Sequence, residues 1–157
     1  MRCIDIIAQD HAALRRGVDI LDRMVQRMEE GNRIEILDIR TVLKFLRAFG
    51  DQYQLSTEER ELLSVIEDDL NAKHGIGFVR GSRRLILLLR NHLETEDLAL
   101  ANIAERLLSR DEDDVIAAPF ASKRAISDIV VSFSRLERKY ASNPRSIPAE
   151  MDRRAHA

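Results

Sequence analysis

The chain has 157 residues, of which 45% are hydrophobic, so it is long enough for one domain with a single core. Its 25 basic and 27 acidic residues nearly cancel, which disfavours nucleic-acid binding because that function needs a clustered positive face. The single cysteine, Cys3, excludes an internal disulfide and any CxxC-type site. Aromatic residues make up 4% of the chain and tryptophan is absent, a composition typical of packed helices.

The N-terminal sequence MRCIDII is too short and too charged for a signal peptide, and no apolar run approaches the length of a membrane span. We therefore expect a cytoplasmic protein that has no membrane partner. No nucleophile elbow, phosphate-binding glycine loop or dinucleotide fingerprint is present. An enzymatic function is consequently less expected than a binding function.

The first half of the chain predicts two helical segments. The first begins between Ile4 and Asp10, runs to Glu30 and ends at Gly31-Asn32, a pair that commonly terminates helices. The second begins near Ile34 and extends to about Asn71. It weakens at Gly50 and has a restart signal at Ser56, because Ser56 and Glu59 have the spacing of a capping box.

The second half predicts a loop and two further helices. Residues 73–82 hold three glycines and are predicted to form the loop. A third helix is predicted from Arg83 to Arg110 and a fourth from Ile126 to Tyr140. Residues 1–141 should then form one all-α, antiparallel up-down-up-down four-helix bundle. Residues 142–157 contain two prolines and few apolar residues, which predicts a disordered tail.

Three polar residues occupy positions where these helices should be apolar. His11 interrupts the stripe formed by Ile7, Leu14, Val18 and Leu21, while His92 and Glu96 continue the stripe of Leu85 and Leu89. Burial without a partner would be costly for an imidazole or a carboxylate. A shared metal ion would satisfy all three residues. The alternative for His11 is a core histidine that is hydrogen-bonded to a neighbouring carboxylate.

Three stretches resemble the hemerythrin-like, or HHE cation-binding, family. They are DHAALRRGVDIL at 10–21, FLRAFGDQYQLSTEERELL at 45–63 and LLRNHLETEDLALANIAERLL at 88–108. The resemblance implies metal ligands at four residues: His11, Glu58, His92 and Glu96. Glu59 matches the second acidic residue of the family pattern. For Glu58 a simpler interpretation is open, since acidic residues favour helix N-termini.

The chain also departs from the family pattern. Gln54 and Leu55 stand where the family has two adjacent histidines, and Arg83 and Arg84 lie near the expected position of a further histidine. His74 lies upstream of that position, and we do not assume that it replaces the family's histidine. The remaining ligands imply a mononuclear or dinuclear non-haem iron site, with manganese and zinc as alternatives.

The resemblance implies a protein for sensing, storage or redox handling of iron, oxygen or nitric oxide. The alternative is a metal-free bundle that acts as a regulatory or protein-interaction module. A protein partner or a homodimer is then expected. Its contact surface would be the segment 73–82 or the exposed face of the last helix.

Overall fold

The structure, a computed structural model, describes residues 2–53, 55–71, 75–106 and 125–141. They form five helices: α1 (Arg2–Glu29), α2 (Ile36–Tyr53), α3 (Thr57–Asn71), α4 (Gly75–Glu105) and α5 (Ala125–Tyr140). Within these ranges there is no strand, which confirms the all-α prediction. None of the five helices is long and apolar enough to cross a membrane. The predicted tail, 142–157, lies outside the described residues.

Helix α1 ends at Glu29, and the chain turns at Gly31, where the sequence predicts the helix stop. Gly31 has a φ of 85°, a left-handed conformation that glycine adopts without steric cost. The N–H of Asn32 donates to the carbonyl of Arg27 at 2.9 Å, and the N–H of Gly31 donates to that of Met28 at 3.1 Å. These two bonds form a Schellman motif, which satisfies carbonyl groups that the helix end would otherwise leave free.

The predicted second segment is two helices rather than one. Helix α2 ends at Tyr53 and α3 begins at Thr57, so the restart signal marks a true chain reversal. The capping box is confirmed: the N–H of Glu59 donates to Ser56 Oγ, and the N–H of Ser56 donates to Glu59 Oε2, both at 3.2 Å. The two helices then pack together, with the Arg47 guanidinium donating to Glu67 at 2.9 Å.

The predicted loop at 73–82 is wrong from Gly75 onward, because α4 begins there and not at Arg83. Two of its glycines permit close packing against α3. A Cβ atom at Gly77 would lie 2.6 Å from the Asp69 carboxylate, and one at Gly81 would lie 2.8 Å from the Ile66 side chain. The Asp69 carboxylate also accepts the Phe78 N–H at 2.7 Å near the start of α4. Tertiary packing therefore overrides the low helix propensity of glycine.

Helix α1 contacts α2, α4 and α5, and α3 contacts α2 and α4. Contacts between His11 and Asp97, and between Glu29 and Arg83, show that α1 and α4 are antiparallel. The core between the helices is aliphatic, with a few phenylalanines. It includes the predicted core residues Leu14, Val18, Leu21, Leu46 and Leu89, together with Phe45, Phe78 and Phe133. The Val130 side chain, also predicted in this core, lies outside the described residues.

Candidate functional site

The candidate site is a row of imidazoles and carboxylates from three helices. Helix α1 contributes His11, which is 1% exposed on the stripe that the sequence predicts. Helix α4 contributes His92, Glu96 and Asp97, and the first turn of α3 contributes Glu59. The capping box holds Glu59 in place, since one of its carboxylate oxygens accepts the Ser56 N–H. The cluster therefore lies where the first half of α1 meets the second half of α4.

Acidic and imidazole groups alternate along this row. Asp97 Oδ1 lies 2.8 Å from His11 Nδ1, and His11 Nε2 lies 2.9 Å from Glu96 Oε2. The other oxygen of Glu96 lies 2.6 Å from His92 Nε2. His92 Nδ1 in turn lies 3.1 Å from Glu59 Oε1. Glu96 is therefore the central group, because it contacts both histidines through separate oxygens. We call these five residues the histidine–acid row.

Among the described side chains, one permanent positive charge contacts the row. The guanidinium of Arg15, one turn after His11, contacts the Asp97 carboxylate. Burial alone would raise the pKa of Asp97, but hydrogen bonds from His11 and Arg15 outweigh it and lower that pKa. Partial burial opposes the charged form of His92, yet the Glu96 and Glu59 carboxylates prevail and raise the pKa of His92 above 6.5.

The four nitrogen–oxygen contacts cannot all be hydrogen bonds while the histidines are neutral. An ionised carboxylate only accepts, and a neutral imidazole has one N–H donor and one lone pair. Each histidine therefore faces one carboxylate oxygen with a lone pair unless it takes up a second proton or binds a cation. With neutral histidines the row has three carboxylates against the single guanidinium of Arg15. The cluster consequently favours added positive charge.

His11 Nε2 is the least satisfied atom of the row. It is buried and makes no hydrogen bond of acceptable geometry within the described structure, although its distance from Glu96 Oε2 is short. The distance between His11 Nε2 and Glu96 Oε2 fits a hydrogen bond, but the direction from one atom to the other does not. Because a polar atom buried without an aligned partner is costly, this nitrogen is the natural point for a bound proton, water or cation.

Three of the four predicted ligands meet in the row, and Glu58 does not. Glu58 is exposed and accepts from the Arg84 guanidinium at 3.0 Å. The residue beside it, Glu59, contacts His92 instead. The helical phase could have identified Glu59, since Leu63 and Ile66, four and seven positions later, are buried on the same face. Gln54 and His74 lie outside the described residues.

Asp97 is the second residue that the sequence analysis missed. The apolar stripe of α4 places Asp97 and Glu94 on other faces of the helix, which predicts that both are solvated, but Asp97 contacts both His11 and Arg15. Asp97 lies close to the stripe of α1 because of the way in which α1 and α4 cross. The identity of its partner could therefore not be read from α4 alone, whereas Glu94 is exposed as expected.

The donor types of the row are those that non-haem iron, manganese and zinc accept. Within the described ranges, however, no three histidine, cysteine or acidic side chains are arranged as a ready metal-binding group. The contacts run from one residue to the next and do not converge. Donor chemistry therefore fits a metal better than the arrangement of the donors does.

Comparisons with known proteins do not add a family to this description. The chain matches no family model, no curated protein and no solved structure. The resemblance to hemerythrin-like proteins, which depends on the three stretches quoted above, stays a prediction.

Proposed function

We propose that this chain is a hemerythrin-like metal-binding protein that takes up a divalent cation, ferrous iron by preference, at the histidine–acid row. His11 and His92 would supply imidazole ligands, and Glu96 would supply the carboxylate between them. Glu59 would replace Glu58 as the second carboxylate. Bound iron would supply reversible binding or redox chemistry toward oxygen or nitric oxide.

The buried Nε2 atom of His11 is the observation that carries this proposal. It has no aligned hydrogen-bond partner, and a Glu96 oxygen lies 2.9 Å away. A cation bound to that nitrogen would satisfy the lone pair and offset the excess of carboxylates in the row. The role of the protein would be to hold two imidazoles and two carboxylates on three separate helices.

The helix contacts support a finer fold proposal of the same kind. Helices α1, α2, α3 and α4 each contact the next, and α4 contacts α1. We propose that these four form the up-down-up-down bundle, with α5 packed outside on α1 and α2. The sequence-based assignment instead used the C-terminal helix as the fourth member.

A second candidate function is a metal-free regulatory or interaction module. One observation favours it: each ring nitrogen of His11 and His92 already lies within 3.1 Å of a carboxylate oxygen. Protonated histidines would make all four contacts electrostatically favourable without a metal, although the contact of His11 Nε2 is not aligned as a hydrogen bond. The row would then be an internal ion-pair network that joins α1, α3 and α4.

The deciding experiment measures iron binding and thermal stability in the same samples. The full chain is purified anaerobically, loaded with ferrous iron and compared with protein treated with a chelator. We expect near-stoichiometric iron and a rise in melting temperature, because a ligand at a hundredfold excess over its Kd stabilises the folded state by about 2.7 kcal/mol.

Neighbouring glutamates provide a matched pair of variants. Glu59→Gln keeps a side chain that can complete the capping box but removes the carboxylate that faces His92. We expect it to weaken iron binding about 10- to 100-fold. Glu58→Gln should leave binding unchanged, because Glu58 contacts only the exposed Arg84 among the described side chains. If the wild type binds less than about a tenth of an equivalent of iron, and the double variant His92→Ala/Glu96→Ala binds the same amount, the metal-free function would be favoured.

A further inference from the structure

Helix α4 has a line of large apolar side chains on its outer face. Ile76, Leu87 and Leu98 are 74%, 51% and 64% exposed. Ile76 and Leu98 are each eleven positions from Leu87. Eleven residues make just over three full helical turns, so the three side chains lie on one line along about 33 Å of helix. Nothing else in the described part of the chain covers them.

The ion pairs on either side show where this line faces. Arg83 and Arg90 reach toward α1, where they bind Asp22, while Arg84 reaches toward α3 and binds Glu58. The line of apolar side chains passes between Arg83 and Arg90 on one side and Arg84 on the other. It therefore points away from the core.

The line is symmetric about Leu87 in shape, and charges of opposite sign accompany it on the two sides of Leu87. Arg80 lies seven positions before Leu87 and Glu94 lies seven positions after it, and both are exposed. Seven residues are about two helical turns, so both side chains project from the same face as the apolar line. A helix with this pattern is complementary to an antiparallel copy of itself.

We infer that the outer face of α4 is a self-association surface and that two copies of this chain form a twofold dimer through it. The dimer axis passes beside Leu87, which contacts its own copy. Ile76 then faces Leu98 of the second copy, and Arg80 faces Glu94. A twofold contact uses the same patch on both copies, as this symmetric pattern requires.

The small size of the patch indicates a weak contact between the two copies. A single helix on each side buries less surface than the roughly 1,200–2,000 Å² of a standard stable interface. The dimer should therefore dissociate in the micromolar range. Its apolar contacts supply affinity, while the two Arg80–Glu94 pairs fix the antiparallel register.

Sedimentation equilibrium of the full chain over about 1–300 μM tests this inference. We expect a reversible monomer–dimer equilibrium in the wild type. Leu87→Glu should weaken the dimer at least a hundredfold, because it places two carboxylates together at the axis. Leu37→Glu is the matched control, since Leu37 is 73% exposed on α2, and it should leave the equilibrium unchanged. Circular dichroism of both variants would check that they fold.

A charge exchange tests the register. Arg80→Glu and Glu94→Arg should each weaken the dimer about tenfold by facing like charges, and the double variant should recover most of the loss. Leu87→Cys in a Cys3→Ser background should oxidise to a covalent dimer, whereas Leu37→Cys should not. A wild type that remains monomeric at every concentration would overturn the inference. Dimerisation that Leu87→Glu and the charge variants leave intact would overturn it equally.

Discussion

Asp38 and Glu96 are both carboxylates at contacts between helices, but their partners differ in kind. Asp38, in the first turn of α2, is 1% exposed and accepts from three groups on α5. They are Arg135 at 3.0 Å, Lys139 at 2.7 Å and the Tyr140 hydroxyl at 2.6 Å. All three are donors at any pH in the physiological range. The Asp38 carboxylate therefore always faces hydrogen-bond donors, two of which are cations.

Among the described residues, Glu96 has no such permanent donors. It contacts two histidines, whose other ring nitrogens contact Asp97 and Glu59. The number of donors in this row depends on how many protons or cations it holds. Its central carboxylate is also 41% exposed, so ions from solvent can reach it.

The contrast separates a structural cluster from a candidate functional one. Burial would raise the pKa of Asp38, but its bonds to Lys139, Tyr140 and Arg135 outweigh burial and lower it. The same contacts raise the pKa of Lys139 to about 12. Burial and the Asp38 carboxylate raise the pKa of Tyr140 to about 12 as well. This cluster keeps one charge state, whereas the histidine–acid row can change its own.

The largest expected effect is loss of the Asp38 carboxylate. Asp38→Ala leaves the buried Tyr140 hydroxyl without its acceptor and removes two ion pairs that join α5 to α2. We expect the free energy of unfolding to fall by about 3 kcal/mol, as for other broken buried pairs. Urea denaturation followed by circular dichroism gives the value.

Tyr140→Phe is the matched control for this change. It removes one hydrogen bond and keeps both ion pairs, so its cost should be only about 1 kcal/mol. Equal costs for the two variants would show that Asp38 acts through the tyrosine alone. A cost below about 0.5 kcal/mol for Asp38→Ala, the size usual at exposed sites, would contradict the structural role of the cluster.

A double-mutant cycle at His92 and Glu96 should give smaller effects. Without metal, Glu96→Met should cost about 1–2 kcal/mol, because it removes the 2.6 Å contact with His92 and the carboxylate that faces His11 Nε2. His92→Leu should cost less, since Glu59 keeps its bond to Ser56. The double variant should cost less than the sum of the single ones, because the two residues contact each other.

Iron provides the second half of this cycle. If the row binds metal, all three variants should lose the iron-induced rise in melting temperature, whatever their stability without metal. Additive effects in the absence of iron would show that the 2.6 Å contact between His92 and Glu96 contributes nothing. Retention of the iron response in the double variant would contradict the proposed ligands.

Local signals predicted most of the fold. The Gly31 stop and the Ser56–Glu59 capping box depend on residues close together in sequence, and both are confirmed. The glycine-rich start of α4 could not be predicted in this way. Gly77 and Gly81 are helical because Asp69 and Ile66 of α3 occupy the space that a Cβ would need. That reason lies in another helix.

The candidate site divides in the same manner. His11, His92 and Glu96 were found because they interrupt apolar stripes within single helices. Asp97 was missed because its partners, His11 and Arg15, are on α1 and reach it only through the helix crossing. The choice of Glu58 over Glu59 followed the family pattern, although the phase of Leu63 and Ile66 on α3 favours Glu59.

The smallest predicted effect is a pH dependence that the histidine–acid row should show and the contacts of Asp38 should not. The pKa of His92 is raised above its unfolded value of about 6.5, so its stabilising contribution is complete below that pH and is lost as pH rises through the folded pKa. In a chelating buffer, the stability difference between wild type and His92→Gln should therefore be larger at pH 5.5 than at pH 9, by less than about 1 kcal/mol.

The difference between wild type and Asp38→Asn should stay constant over the same range, because the lowered pKa of Asp38 keeps it ionised throughout. Urea midpoints at both pH values provide the comparison. A His92 difference that grows with pH would contradict the contacts of His92 with Glu59 and Glu96.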